Sequence, residues 1–208
     1  MGISCIKTIS PQARLGIWHM TETWQELRSL VQLPEEAFAQ LNTIPKDKRK
    51  QEWLSCRMLI QELTSRPPVV WYDTNRKPHI PDTDFQLSMS HSGDFAAVYI
   101  APDQSVGVDI QQMKPSISKG IDYFLNEEEQ QWIHAEDNLL LHLIWSAKES
   151  AFKYAGDAEL DLKKHITITP FKSNQNGEFE VLLARKDTNE AVRIAYDTFE
   201  DYVLTWTL

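Results

Sequence analysis

Cysteine is scarce in this chain: Cys5 and Cys56 are the only two among 208 residues. That is too few for a disulfide framework or a cysteine-built zinc cluster, and it predicts free thiols in a reducing compartment. An excess of basic residues is missing too. Lys and Arg number 21 against 30 Asp and Glu, a formal net charge of −9. That balance argues against general binding to nucleic acid or to anionic membranes. No apolar run reaches membrane-spanning length and no signal-peptide apolar region opens the sequence, so a cytoplasmic location is expected. Walker-type glycine loops, dinucleotide fingerprints and nucleophile elbows are absent. His134, His142 and His165 lack metal-ligand spacing and read as structural. No repeat is visible at the level of letters.

What is present is enough apolar content, 42%, to build a real core. Helices are expected over about 23–31, from Pro34 onward, and over about 46–63, where Arg66-Pro67-Pro68 stops the third. The period then changes to two. Val69–Tyr72 and Lys77–Ile80 flank a turn and read as a hairpin. Phe85–Ser90, Ala96–Ala101 and Val106–Ile110 read as strands, the last exposing Asp109 at its end. A helical stretch is expected from Ser116 to about Ala155, interrupted near Leu125-Asn126 and capped by Gly156. Four further strands follow, with Asn176-Gly177 read as a turn. The class is α+β, in two similar halves divided at Pro102–Ser105, each with helices packed on a small antiparallel sheet. Residues 1–105 form the first half and 106–208 the second.

Three constellations carry chemistry. Asp109 on a strand and Glu149 on a helix offer two carboxylates for a hard divalent cation. Lys153, four residues after Glu149, adds positive charge for an anionic substrate. The plain reading of that pair is a helix-stabilising contact of roughly 0.2–0.5 kcal/mol. It leaves unexplained why Trp145, Glu149 and Lys153 share one helical stripe. Ser88-Met89-Ser90-His91-Ser92-Gly93 gathers hydroxyls and an imidazole that suit a phosphate, although a self-satisfied polar turn explains the segment alone. Arg49, Trp53 and Arg57, spaced i, i+4, i+8, put two guanidinium groups and an indole on one side of a helix, where Lys48 adds charge. Asn126–Gln131 reads as a capped, mostly solvated helix start.

Taken in order, Lys77-Pro78-His79-Ile80, Ser88–Ser92, Gly107-Val108-Asp109-Ile110 and Trp145-Ser146-Ala147-Lys148-Glu149 with Lys153 resemble the surfactin-type 4′-phosphopantetheinyl transferases. The likeness covers about residues 45–156. It implies a fold of two similar α+β halves in one chain, hence a monomer. It also implies Mg2+-dependent transfer of the phosphopantetheine arm of coenzyme A to a serine of an apo acyl or peptidyl carrier protein, releasing adenosine 3′,5′-bisphosphate. Under the resemblance the first half contacts the nucleotide, and the second holds the metal and the carrier. Asp109 and Glu149 are then metal ligands, with Mn2+ an acceptable substitute for Mg2+, and Glu149 also helps deprotonate the carrier serine. Lys153 contacts the pyrophosphate. Ser90 and His91 contact the phosphates of coenzyme A, and Lys77 lies near the nucleotide. Lys48, Arg49 and Arg57 supply charge for the 3′-phosphate. Two residues depart from the pattern. Gln111 stands where many members have a second Glu, making it a doubtful ligand, and Arg76 replaces the glycine before Lys77. The competing expectations are a Mg2+-dependent nucleotide hydrolase and a non-catalytic module that binds coenzyme A or a carrier protein.

Overall fold

The computed structural model of the chain describes residues 2–185 and 188–208. It forms two compact units, Met1–Ser105 and Val106–Leu208. Each is an antiparallel sheet with helices, which makes the class α+β.

In the first unit, β1 (Ile3–Thr8) and β2 (Arg14–His19) precede three helices, α1 (Trp24–Leu30), α2 (Glu35–Thr43) and α3 (Asp47–Thr64). The chain then returns to strands: β3 (Trp71–Tyr72), β4 (Pro78–His79), β5 (Phe85–Ser92) and β6 (Phe95–Pro102). The sheet order is β1-β2-β6-β5-β4-β3. Local chemistry explains the helix ends. Thr23 and Glu26 close a capping box at the start of α1, and α3 stops at Ser65, which adopts a left-handed conformation at φ 54. The apolar side of α3 (Leu54, Met58, Leu59, Leu63) buries against Trp18, Leu87, Val98 and Ile100 of the sheet. β5 and β6 turn tightly at Gly93-Asp94, so Ser88–Ser92 lie inside a paired strand and not in a polar turn.

The second unit holds β7 (Val108–Gln112), a 3-10 turn at Pro115–Gly120, α4 (Ile121–Phe124) and a 3-10 turn at Glu129–Gln131. There follow α5 (Asn138–Ala155), β8 (Ile166–Ile168), β9 (Asn176–Ala184), β10 (Asn189–Phe199) and β11 (Tyr202–Thr207). The sheet order is β7-β11-β10-β9-β8, and α5 lies across it. The expected helix from Ser116 to Ala155 is therefore broken twice. Asn126 and Glu129 exchange hydrogen bonds of 2.9 Å in both directions and hold a single 3-10 turn. The Asp137 carboxylate then accepts from Leu140 N at 2.9 Å and starts α5 afresh. Gly156, at φ 63, ends it as expected.

Asn176-Gly177 is not a turn. Both residues open β9, opposite Asp197 and Tyr196 of β10. The glycine answers to its neighbour across the sheet: a Cβ on Gly177 would lie 2.9 Å from the Tyr196 hydroxyl.

Candidate active site

Strand alternation decides what faces α5. In β7 and the residue before it, positions 107, 109 and 111 share one face. Gly107 is where helix and strand touch: a Cβ there would fall 1.9 Å from the Ser150 carbonyl oxygen. Its missing side chain lets the backbone of α5 lie directly on the strand. Two residues on, Asp109 meets Lys153. On β11, Thr205 pairs across from Asp109 and meets Ser146 and Ser150 of α5.

Asp109 does not sit exposed at a strand end as the sequence suggested. It is 2% exposed, because β7 continues to Gln112 beside β11 and α5 covers it. Its carboxylate is well supplied. Oδ1 accepts from Lys153 Nζ at 2.7 Å, and Oδ2 accepts from Gln111 Nε2 at 3.0 Å. Lys153 Nζ also donates to the Val108 carbonyl at 3.0 Å and keeps a quarter of its side chain in solvent. Glu149, one helical turn before Lys153, is half-buried. Burial raises its pKa above the ordinary carboxylate value, the Asp109 charge raises it further, and Lys153 opposes both. One carboxylate is thus paired with a cation while its neighbour carries the strain of burial. A divalent cation or a proton relieves that strain. Among the described residues, no three His, Cys, Asp or Glu side chains gather into a metal-holding group. Protein ligation would therefore be sparse.

In the first unit, Lys48, Arg49 and His91 come together where the first turns of α3 meet the β5–β6 hairpin. Arg49 Nη1 contacts His91 Nε2 and donates to Glu52 Oε2 at 3.0 Å. His91 Nδ1 lies 3.4 Å from the same Glu52 oxygen, and Lys48 pairs with Asp94 at 3.3 Å. Ser90 is buried in β5. Arg57 does not share this surface. It is 2% exposed, its guanidinium 3.2 Å from the centre of the Trp53 ring, and it lines a cavity of about 300 Å3 with Pro34, Gln40, Val69 and Val70. Burial pushes its pKa down to about 10, with Tyr72 opposing. Lys77 lies on the β3–β4 hairpin and donates to Ser105 Oγ at 2.5 Å. The hairpin is held by Asp73, whose Oδ1 accepts the amides of Asn75 and Lys77 at 2.9 Å and whose Oδ2 meets His79 at 2.9 Å. Arg76 itself takes the left-handed conformation, φ 65, that a glycine adopts without strain.

Sequence reading missed two buried groups beside these residues. One is the hydroxyl trio Ser146, Ser150 and Thr205. The other is the ion pair Lys148–Glu129, 2.7 Å apart with both side chains wholly buried. Glu129 is therefore not part of a solvated helix start. Periodicity held a clue: Lys148 shares a helical stripe with Leu141, Ile144 and Ala151, all buried.

Comparison with known proteins finds a family match over the second unit. The sequence model of the 4′-phosphopantetheinyl transferase superfamily matches residues 105–207. The 4′-phosphopantetheinyl transferase AcpT of Escherichia coli O157:H7 is 28% identical over 119 residues, which cover 54% of this chain and 61% of that protein. AcpT of Escherichia coli K12 is 27% identical over the same length and coverage. AcpT of Salmonella typhi is 29% identical over 133 residues, or 60% of this chain and 67% of that protein. The chain thus spans 61% of the length of the two Escherichia relatives. The matched segment contains β7 and α5, with Asp109, Glu149 and Lys153 on them. The second unit of the chain thus matches the 4′-phosphopantetheinyl transferase superfamily.

Proposed function

We propose that the chain moves the 4′-phosphopantetheine arm of coenzyme A onto a serine hydroxyl of an apo carrier protein, releasing adenosine 3′,5′-bisphosphate, in the manner of the surfactin-type enzymes. The observation that carries this reading is the buried pairing of Asp109 with Lys153 beside the strained carboxylate Glu149. The donor set suits a hard cation: two carboxylates whose charges interact, Asp109 on the strand and Glu149 on the helix. Asp109 and Glu149 would hold Mg2+ or Mn2+, which when bound supplies positive charge to the pyrophosphate oxygens.

The chain's own groups account for the rest. Lys153, partly exposed and four residues after Glu149, donates to the pyrophosphate and offsets charge gathering on the oxygen that leaves with the nucleotide. Glu149, with its raised pKa, accepts the serine proton directly or through a water. The serine oxygen bonds to the phosphorus that carries pantetheine as the bond from that phosphorus to the bridging oxygen breaks. In the first half, Ser90 and His91 bind phosphate, Lys77 lies by the nucleotide, and Lys48 and Arg49 supply charge for the 3′-phosphate, while Arg57, buried against Trp53, takes no part. A cytoplasmic monomer is part of the same reading; coenzyme A is itself a thiol, and Cys5 and Cys56 form no disulfide with each other.

The test is mass spectrometry of a panel of apo carrier proteins incubated with the chain, coenzyme A and Mg2+. One carrier should gain a single phosphopantetheine arm. Breakdown of coenzyme A with every carrier left unmodified would make the chain a hydrolase instead. Exhaustive chelation should abolish transfer, and Mg2+ or Mn2+ should restore it. Full activity in chelator would remove the metal from the reading.

Gln111 gives a separate expectation. Its amide donates to Asp109, so Gln111→Glu exchanges a donor for a third anionic oxygen group. The Mg2+ concentration for half-maximal rate should fall, because each charged oxygen deepens a site for a hard cation. Turnover at saturating Mg2+ need not rise. Superimposable rate curves against Mg2+ would put residue 111 outside the cation's reach.

A further inference from the structure

We infer that Thr205 is a positioning residue: through Ser146 and Ser150 it clamps α5 onto β7 and β11 and so fixes Glu149 against Asp109. This rests on the reading of those two carboxylates as the metal-binding pair. Thr205, Ser146 and Ser150 are all wholly buried. Ser150 Oγ lies 3.0 Å from the Thr205 carbonyl and 2.7 Å from Thr205 Oγ1. Ser146 Oγ lies 2.9 Å from Thr205 Oγ1 and 3.4 Å from the Asp109 carbonyl. One assignment uses every hydroxyl proton. Ser150 donates to the Thr205 carbonyl, Thr205 to Ser150, and Ser146 to Thr205.

The geometry gives this trio a job that apolar packing does not do. Ser146 and Ser150 are one helical turn apart and bracket a single threonine. Turning α5 by one residue, about 100°, would break both contacts. Glu149 precedes Ser150 directly and Lys153 follows it by three, so locking Ser150 to Thr205 also locks Lys153 over Asp109. On the strand side, Thr205 is the partner of Asp109 in the β7–β11 ladder. Both ends of the clamp are thus adjacent to the carboxylates. Leu141, Ile144, Ala147 and Ala151 make the buried face of α5 apolar between this trio and Lys148, whose hydrogen bonds tie the helix to β8, at the opposite edge of the sheet from β7 and β11. Gly107 removes the remaining spacer. Hydrogen bonds supply the directional constraint that aliphatic contacts lack.

The test compares Thr205→Val, which keeps the branched shape and deletes the hydroxyl, with Thr205→Ser, which keeps the hydroxyl and deletes a methyl. Each is measured without coenzyme A for Mn2+ affinity by water-proton relaxation and for unfolding in urea, with Asp109→Asn as control. The wild type should bind Mn2+ and Asp109→Asn should lose it. Thr205→Val should bind about 10–100-fold more weakly, the range for groups that orient metal ligands. Thr205→Ser should bind close to wild type even though loss of its buried methyl makes it easier to unfold. Affinity and stability then do not move together, which a merely structural role would not produce. Wild-type Mn2+ affinity in Thr205→Val, or equal loss in both variants, overturns the inference alone. No Mn2+ binding by the wild type, or binding that survives in Asp109→Asn, overturns the site reading and this inference with it.

Discussion

Replacing Lys148 with Met is expected to lower the free energy of unfolding by about 3–5 kcal/mol, the range for breaking a buried ion pair from one side. The ammonium has no exposure. Besides Glu129 Oε2 it donates to the carbonyls of Phe124 at 2.7 Å, Leu162 at 3.1 Å and Ile166 at 2.6 Å. Glu129 in turn accepts from the amides of Asn126 at 2.9 Å and Ile168 at 2.8 Å. One side chain of α5 therefore ties the helix to the end of α4, to the loop before β8 and to β8 itself. Methionine fits the stem but leaves a buried carboxylate without its cation and three carbonyls without a donor. Urea unfolding followed by tryptophan fluorescence measures the loss. Lys148→Met combined with Glu129→Gln should be less damaging than Lys148→Met alone, because the orphaned charge goes too. A loss below about 1 kcal/mol in the single variant would mean that water reaches the pair.

Glu149→Gln should have the opposite profile. Transfer should fall by at least about a hundredfold, since the amide can neither accept the serine proton nor add charge to the cation site. Stability at pH 7 in chelator should be unchanged or higher. The sign follows from the pKa. Burial first, then Asp109, raise the folded-state value above the 4.5 of an ordinary Glu. As pH rises through 4.5 the unfolded chain releases this proton before the folded one, so the free energy of unfolding falls until the folded carboxyl ionises as well. Above its folded-state pKa the wild type carries that full cost and the amide does not. The stability difference between the two proteins should therefore open with rising pH and vanish well below pH 4.5. Paired urea titrations at acid and neutral pH read it directly. Wild-type turnover in Glu149→Gln, or a stability loss above about 1 kcal/mol at pH 7, would return Glu149 to an ordinary helix-stabilising role.

Features set by near neighbours in sequence were legible. Thr23 capping α1, Gly156 ending α5 and the β3–β4 hairpin follow from side chains within a few positions of the backbone they satisfy. The stripe of Trp145, Glu149 and Lys153 was legible for the same reason, since helical period alone aligns it. Three misreadings involve a distant partner. Asn176-Gly177 has the letters of a turn, but Tyr196 claims the glycine for a strand. Glu129 has the letters of a solvated helix start, but Lys148, 19 residues on, draws it into the core. Asp109 reads as a strand end because the apolar run stops near it, whereas pairing with β11 carries the strand on to Gln112.

The sequence by itself determined the α+β class, the helix ends that local caps control, and the choice of Asp109, Glu149 and Lys153 as chemically unusual. Spacing and residue type suffice for those. Only the tertiary structure decided how these groups are charged and held. It paired Lys153 with Asp109, turned the Gln111 amide toward the same carboxylate, left Glu149 to bear the cost of burial, and set Thr205 between two serines behind them. The physical reason is range. Caps and periodicity act over one or two turns of chain. Burial and charge–charge interaction depend on distance in space, and β11, nearly a hundred residues after β7, completes this site.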